Sequence, residues 1–233
     1  MTGPLTGGTA VITGASRGIG RAIALRLAEA GADVALWARD GDALQRVADE
    51  IASAGGRAQP FVCDVTDSAA VDMAAAAVRR ALAPVTVVVN NAGVVLRKPT
   101  VAISDAEWRH VMAVNVDGTF HVSRTFLPDL VAAGGRIINI SSIAGREGTP
   151  LLAGYCAAKH AVIGLTRALA EELRTAKVCV NAICPGSVDT VMLREGMPGA
   201  SPDMTPDDIA RTALFLAHTA PPALTGTCID VFG

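Results

Sequence analysis

The chain has 233 residues, 51% of them hydrophobic and 18% charged, which is enough apolar material for one sizeable core and too much for a disordered chain. A formal net charge of −2 gives no electrostatic reason to expect nucleic acid or an anionic membrane as partner, and no apolar run approaches a bilayer span. Five cysteines without a C-x-x-C pair argue for reduced thiols in a cytoplasm rather than a disulfide framework, and the four histidines lack ligand spacing, so no metal is expected.

The N-terminus, Met1-Thr2-Gly3-Pro4-Leu5, has no basic segment followed by an apolar one, so no signal peptide is expected. Thr9–Thr13 is an apolar run between glycines and reads as a buried strand. A helix follows from about Ile19 to near Gly31, with Ile23 and Leu27 on one face. Strand Val34–Trp37, helix Leu44–Ser53, strand Gln59–Cys63, helix Ala69–Leu82 and the β-branched strand Val85–Val89 continue the alternation. Ser104-Asp105-Ala106-Glu107 is a capping box that opens a long helix. Strand Arg136–Ile140, helix Tyr155–Arg174 and strand Val178–Ile183 come next, then a helix opened by Thr205-Pro206 and a last strand, Thr227–Val231. Strands this apolar, alternating with helices, predict one single-domain α/β unit over residues 1–233: a doubly wound parallel sheet of Rossmann type with helices on both faces. Sheets of this kind bind ligands outside the carboxyl ends of their strands.

The first such loop is Gly14-Ala15-Ser16-Arg17-Gly18-Ile19-Gly20. Its glycines permit a tight turn and close approach by a pyrophosphate, which the free N–H groups of the following helix would meet. The spacing G-x-x-x-G-x-G differs from the commoner G-x-G-x-x-G. At the end of the second strand, Ala38 stands where an acid would bind a free adenosine 2′-hydroxyl, and Arg39 follows it. With Arg17 in the glycine loop, that favours NADP(H) over NAD(H); Asp40, able to occupy Arg39, is the counter-argument.

Tyr155, the single tyrosine, lies four residues before Lys159, which places both on one helical face. A phenol titrates too high for acid–base work near neutrality unless its anion is favoured, and an ammonium one turn away is expected to lower it. Ser142, just past a strand, is placed to hydrogen-bond a substrate oxygen. Asn90-Asn91-Ala92-Gly93 offers a small polar turn at the same sheet edge, and Asn115 sits inside a helix, where its propensity is poor.

Taken in order, Thr13-Gly14-x-x-x-Gly18-x-Gly20, Asp64-Val65, Asn90-Asn91-Ala92-Gly93, Asn115, Ser142, Tyr155-x-x-x-Lys159 and Pro185-Gly186-x-Val188-x-Thr190 resemble the short-chain dehydrogenase/reductase superfamily. The resemblance runs from about Gly7 to Gly233, and its nearest branch is the 3-oxoacyl-thioester reductases. It implies catalytic roles for Asn115, Ser142, Tyr155 and Lys159, with Lys159 also on the nicotinamide ribose and Asn115 holding a relay water. It further implies cofactor contacts from Gly14, Ser16, Arg17, Gly18, Ile19, Gly20, Arg39, Asp64, Val65, Asn91, Ala92, Gly93, Ile140, Pro185, Gly186, Val188 and Thr190. Similar proteins form homodimers or homotetramers through the helices carrying Asn115 and Tyr155.

The expected reaction is NADPH-dependent reduction of a ketone or 3-oxoacyl-type carbonyl to a secondary alcohol, with NAD-dependent alcohol oxidation or a non-catalytic nucleotide binder as the other readings. Relatives carry a longer substrate lid than the stretch Val191–Met204, so a more open site, or one closed by a neighbouring subunit, is expected. Val94, Val95, Leu96, Ile143, Ala144, Ser187, Val191 and Met192 suggest an apolar pocket for a small-molecule carbonyl, with Arg146 as its one anion partner. The stretch Phe126–Gly135 has no Lys or Arg and one acid, Asp129, which weakens docking of an acidic carrier protein.

Overall fold

The computed structural model describes residues 3–233, so the reading of Met1 and Thr2 lies outside the described residues. Seven strands, β1 (Thr9–Thr13), β2 (Asp33–Ala38), β3 (Arg57–Val62), β4 (Val85–Asn90), β5 (Arg136–Ile140), β6 (Cys179–Pro185) and β7 (Cys228–Val231), form one parallel sheet. Their order is β3-β2-β1-β4-β5-β6-β7. The helices are α1 (Gly18–Glu29), α2 (Gly41–Ser53), α3 (Ser68–Ala81), α4 (Asp105–Met112), α5 (Gly118–Ala133), α6 (Ala153–Glu172), α7 (Val191–Gly196) and α8 (Pro206–Leu214).

Alternate strand residues face opposite layers, as the period of two requires. Ala10, Ile12, Val34, Leu36, Val87 and Val89 pack with Ile23 and Leu27 of α1, Leu44 and Ile51 of α2, and Ile209 of α8. Val11, Ala35, Trp37 and Val88 pack with Val71 and Val78 of α3, Phe126 and Leu130 of α5, and Leu169 of α6. Because both faces are covered, the strands read as continuous apolar runs; β1 and the interior of β2 are wholly buried. The chain winds outward through β2 and β3, then returns past β1 to start β4. Loops after β1 and β4 therefore diverge and leave a crevice above the sheet.

Three details differ from the sequence-based expectation. β3 starts at Arg57 rather than Gln59 and carries Pro60, which is tolerated because β3 is an edge strand with a single neighbour. The long helix opened by Ser104 is not continuous: a π-helical turn, Ala113–Asp117, separates α4 from α5. The short lid segment still forms a helix, α7, whose N-cap Thr190 accepts from the Leu193 N–H at 3.2 Å. Among the described residues no helix is long and apolar enough to cross a membrane.

Candidate active site

A cleft of about 1300 Å³ lies at the carboxyl ends of the strands. It is lined by Gly14, Ser16, Arg17, Gly18, Ile19, Arg39, Asp64, Val65, Asn91, Ala92, Gly93, Ile140, Ser142, Tyr155, Lys159, Pro185, Gly186, Val188 and Thr190. Of the residues expected to be catalytic or to touch the cofactor, only Gly20 and Asn115 stand behind its wall.

The glycine turn is held from below. The Thr13 hydroxyl accepts from the Asn91 and Ala92 N–H groups at 3.0 Å each, and the Asn91 Nδ2 amide donates to the Thr13 and Gly14 carbonyls at 3.0 and 3.1 Å. Gly14 has φ +65°, which favours glycine. A Cβ on Gly20 would lie 2.2 Å from the Gly14 carbonyl oxygen, so the close packing of turn on helix needs a hydrogen there. Helix α1 differs from α2, α3 and α4, whose first N–H groups are met by the side chains of Asp40, Asp67 and Ser104. Its own N-cap, Arg17, provides no side-chain bond, and its first turn holds no acid. The free N–H groups and positive dipole end of α1 thus face the cleft, an arrangement suited to an anion.

At the same end Arg17 and Arg39 are exposed, and neither pairs with a carboxylate among the described residues. Asp40 does not occupy Arg39: its carboxylate accepts from the Ala43 N–H at 3.0 Å as the N-cap of α2. Asp64 Oδ1 accepts from the Thr66 N–H and hydroxyl at 3.0 and 2.8 Å. Burial works against its charge, but the Thr66 bonds and the Arg39 and His110 charges outweigh it and hold the carboxyl below its usual range. These features (glycine turn, uncapped helix, two free guanidiniums) fit a nicotinamide dinucleotide with a 2′-phosphate.

At the other end the chemistry-bearing side chains converge. Leu151, at φ +68°, bends the chain into α6, and its carbonyl accepts from the Lys98 N–H at 2.8 Å. Tyr155, 8% exposed, stands in the first turn of α6, which begins at Ala153 and has no side-chain cap. Its hydroxyl lies 3.9 Å from the Met192 Sδ on α7. Lys159, 4% exposed, donates from Nζ to the Ile140 carbonyl at 2.8 Å and sits 5.6 Å from the Tyr155 ring centroid. The ammonium therefore lies over the face of the ring and spends a bond on the end of β5. Ser142 Oγ accepts from the Ala144 N–H at 3.1 Å.

The expected acidification of Tyr155 by Lys159 is not what this arrangement gives. Burial pushes the phenol up to about 12, the Ser142 hydroxyl pulls it partway back, and Cys156 adds to the rise. Burial also pushes Lys159 down to about 8. Desolvation disfavours both charges, and a cation over the ring face is poorly placed to favour an anion at the hydroxyl.

Asn115 is fully buried inside the π-helical turn. Its Nδ2 donates to the Val111 carbonyl, one turn back, and to the Val94 carbonyl, both at 2.9 Å. Its Oδ1 has no protein partner. A Cβ on Gly93 would lie 2.8 Å from that oxygen and 3.5 Å from Lys159 Nζ, so the bare glycine leaves Asn115 and Lys159 facing one small space. Asn90, by contrast, points away from the cleft and ties β4 into the core: its amide donates to Ser123 Oγ and Asn139 Oδ1 at 2.9 and 2.8 Å.

Arg146 is not an anion partner, because Asp230 holds its Nε and a terminal nitrogen at 3.0 Å each. Sequence reasoning missed Glu107, His110, Val111 and Val114, which line the cleft from α4 and the π-turn. Their spacing of three, one and three marks one helical face and was the available signal. Trp37, Thr149, Leu152 and the α7 residues Leu193, Glu195 and Gly196 also line it; no local pattern announces them.

Residues 8–199 match the family model for short chain dehydrogenases. The galactitol 2-dehydrogenase (L-tagatose-forming) of Cereibacter sphaeroides is 42% identical over 244 residues, covering 98% of this chain and 95% of its own. The 3-ketoacyl-(acyl-carrier-protein) reductase of Brucella melitensis, solved with NADH, superposes with a TM-score of 0.92 at 33% identity, covering 98% of each chain. A variant of actinorhodin polyketide ketoreductase, solved with NADPH, gives the same TM-score and identity over 100% of this chain and 98% of that one. The likeness to 3-oxoacyl reductases read from the motifs is thus met in these comparisons.

Proposed function

The chain belongs to the short-chain dehydrogenase family of oxidoreductases, and on that premise we propose that it reduces a ketone or 3-oxoacyl-type carbonyl to a secondary alcohol at the expense of NADPH. The observation that carries this reading is that one cleft joins an uncapped helix terminus flanked by Arg17 and Arg39 to a nearly buried pair, Tyr155 and Lys159, beside Ser142.

Bound there, a nicotinamide would supply the hydride in reduction and accept it in oxidation. Gly14, Ser16, Gly18 and Ile19 would hold the pyrophosphate, Arg17 and Arg39 the 2′-phosphate, Asp64 and Val65 the adenine, and Asn91, Ala92 and Gly93 its ribose. Ile140, Pro185, Gly186, Val188 and Thr190 would flank the nicotinamide, and Lys159 its ribose. Gly20 acts through packing alone. Tyr155, kept neutral by burial, is a proton donor to the carbonyl oxygen, which Ser142 steadies by a second hydrogen bond. The unpartnered Asn115 Oδ1 beside Lys159 suits a water that returns a proton toward Tyr155.

The chain would work as a single domain, with residues 191–204 as its short lid. The five free thiols suit a cytoplasmic setting, and the exposed Trp108 and Phe120, on the helices either side of Asn115, suit assembly into a homodimer or homotetramer.

Following NADPH consumption with a panel of ketones tests the reaction. Tyr155→Phe is expected to abolish turnover while NADPH still binds, and full activity in that variant refutes the role. A kcat/KM preference for NADH refutes the argument from Arg17 and Arg39.

A further inference from the structure

Charge is distributed unevenly along the cleft. At the adenosine end, Arg17, Arg39 and Arg46 line the wall, and among the described residues none of the three is paired with a carboxylate. Beyond Tyr155 and Ser142 the balance reverses. The cation lining that end is Arg194, whose guanidinium is engaged by Asp189 at 2.9 Å. Glu107 is likewise matched, by Lys98 at 2.8 Å. Glu147, five residues past Ser142, and Glu195, on α7, remain: both line the cleft, both are exposed, and neither meets a cation among the described residues. Val95, Leu152 and Met197 add apolar surface to that wall, with Thr149 and His110 among its polar members.

This polarity discriminates between carbonyl compounds. A thioester on coenzyme A or a carrier protein brings phosphate groups that lie outside the reaction centre and stay at the mouth of the site. An enzyme built for such a substrate needs unpaired cations there, as this cleft has at its nucleotide end. Here the mouth offers two unpaired carboxylates against one guanidinium, Arg97, which donates to the Gly196 carbonyl at 3.3 Å.

Resting on the carbonyl reductase reading above, we propose that the substrate is a ketone with an apolar body and no phosphate or carboxylate, and that Glu147 and Glu195 set the order amine-bearing, then neutral, then anionic. Both residues act on the approaching substrate by long-range repulsion or attraction, so their effect is carried by KM and weakens with salt.

The test uses the full chain with NADPH and acetophenones that differ in one para substituent: trimethylammonium, methyl or carboxylate. Acetoacetyl-coenzyme A is the fourth substrate. For the wild type, kcat/KM is expected to fall ~10-fold from the methyl to the carboxylate compound, a size typical of charge steering, and the gap should narrow in high salt. Glu147→Gln with Glu195→Gln should close the gap, and Glu147→Lys with Glu195→Lys should reverse the order. Equal or better use of the carboxylate compound or of acetoacetyl-coenzyme A by the wild type overturns the inference and leaves the reductase reading intact. An order unchanged in the double lysine variant also overturns it. No turnover of any of the four overturns the reductase reading and this inference with it.

Discussion

Tyr155 and Lys159 are each more than nine-tenths buried, and their titration ties catalysis to stability. Lys159 titrates at about 8 in the fold against 10.5 in an open chain. Below pH 8 it is charged in both states and its burial cost is fully present. Between 8 and 10.5 the unfolded chain binds more protons, so stability rises with pH, by an amount on the order of 3 kcal/mol at the limit. Tyr155 titrates at about 12 against 10.0; above pH 10 the unfolded chain ionises first and stability falls. Urea unfolding without added nucleotide should therefore show a climb from pH 8 toward 10 and a decline beyond, with Lys159→Met flattening the climb. A wild-type curve that falls from pH 8 to 10 contradicts this. The same direction bears on rate: a phenol held neutral donates readily, so ketone reduction should stay level across neutral pH, whereas alcohol oxidation, which needs the phenolate, should climb with pH. A reductive rate that collapses below pH 8 would contradict the assignment of Tyr155 as donor.

Two elements carry the site. In the turn leading into α1, a Cβ at Gly20 would run into Gly14 backbone and the Asn91 amide, 2.2 and 2.4 Å away. Gly20→Ala is expected to displace the turn and weaken NADPH binding on the order of 100-fold, since a shift of about 1 Å in a positioning element costs that much. Titration of intrinsic tryptophan fluorescence with NADPH measures it, and unaltered affinity rules out the packing argument. In the π-helical turn, the buried Asn115 amide donates to the Val94 and Val111 carbonyls. Asn115→Leu removes both buried bonds and should cost about 2–4 kcal/mol, a drop of roughly 5–15 °C in Tm. A Tm within a degree of wild type would show that those bonds are unimportant. The π-turn itself was not legible in sequence: its residues, Ala-Val-Asn-Val-Asp, have no helix-breaking member, and only the poor propensity of Asn115 hinted at an irregularity.

For the molecule as a whole, the exposed Trp108 and Phe120, the latter with the Arg124 guanidinium 5.1 Å above its ring, predict sedimentation as a dimer or tetramer. Phe120→Asp should shift the species toward monomer, and a wild type that sediments as monomer at micromolar concentration rejects the assembly. The alternation of strands and helices, the two helical layers and the glycine-bearing turns at the cleft were determined by the sequence alone, because period-two and period-3.6 burial patterns and glycine-dependent turns are local properties of the chain; the strand order was set by tertiary pairing. What tertiary structure also decided was the state of the charged groups. Arg146 looked available until Asp230, from the last strand, was brought against it. Asp40 looked like a partner for Arg39 until it turned to cap α2. The Tyr155–Lys159 pair looked like an ion-assisted phenol until burial pushed both toward neutrality. Desolvation and ion pairing depend on what residues far away in the chain bring to within a few ångströms, and no spacing along the sequence records that.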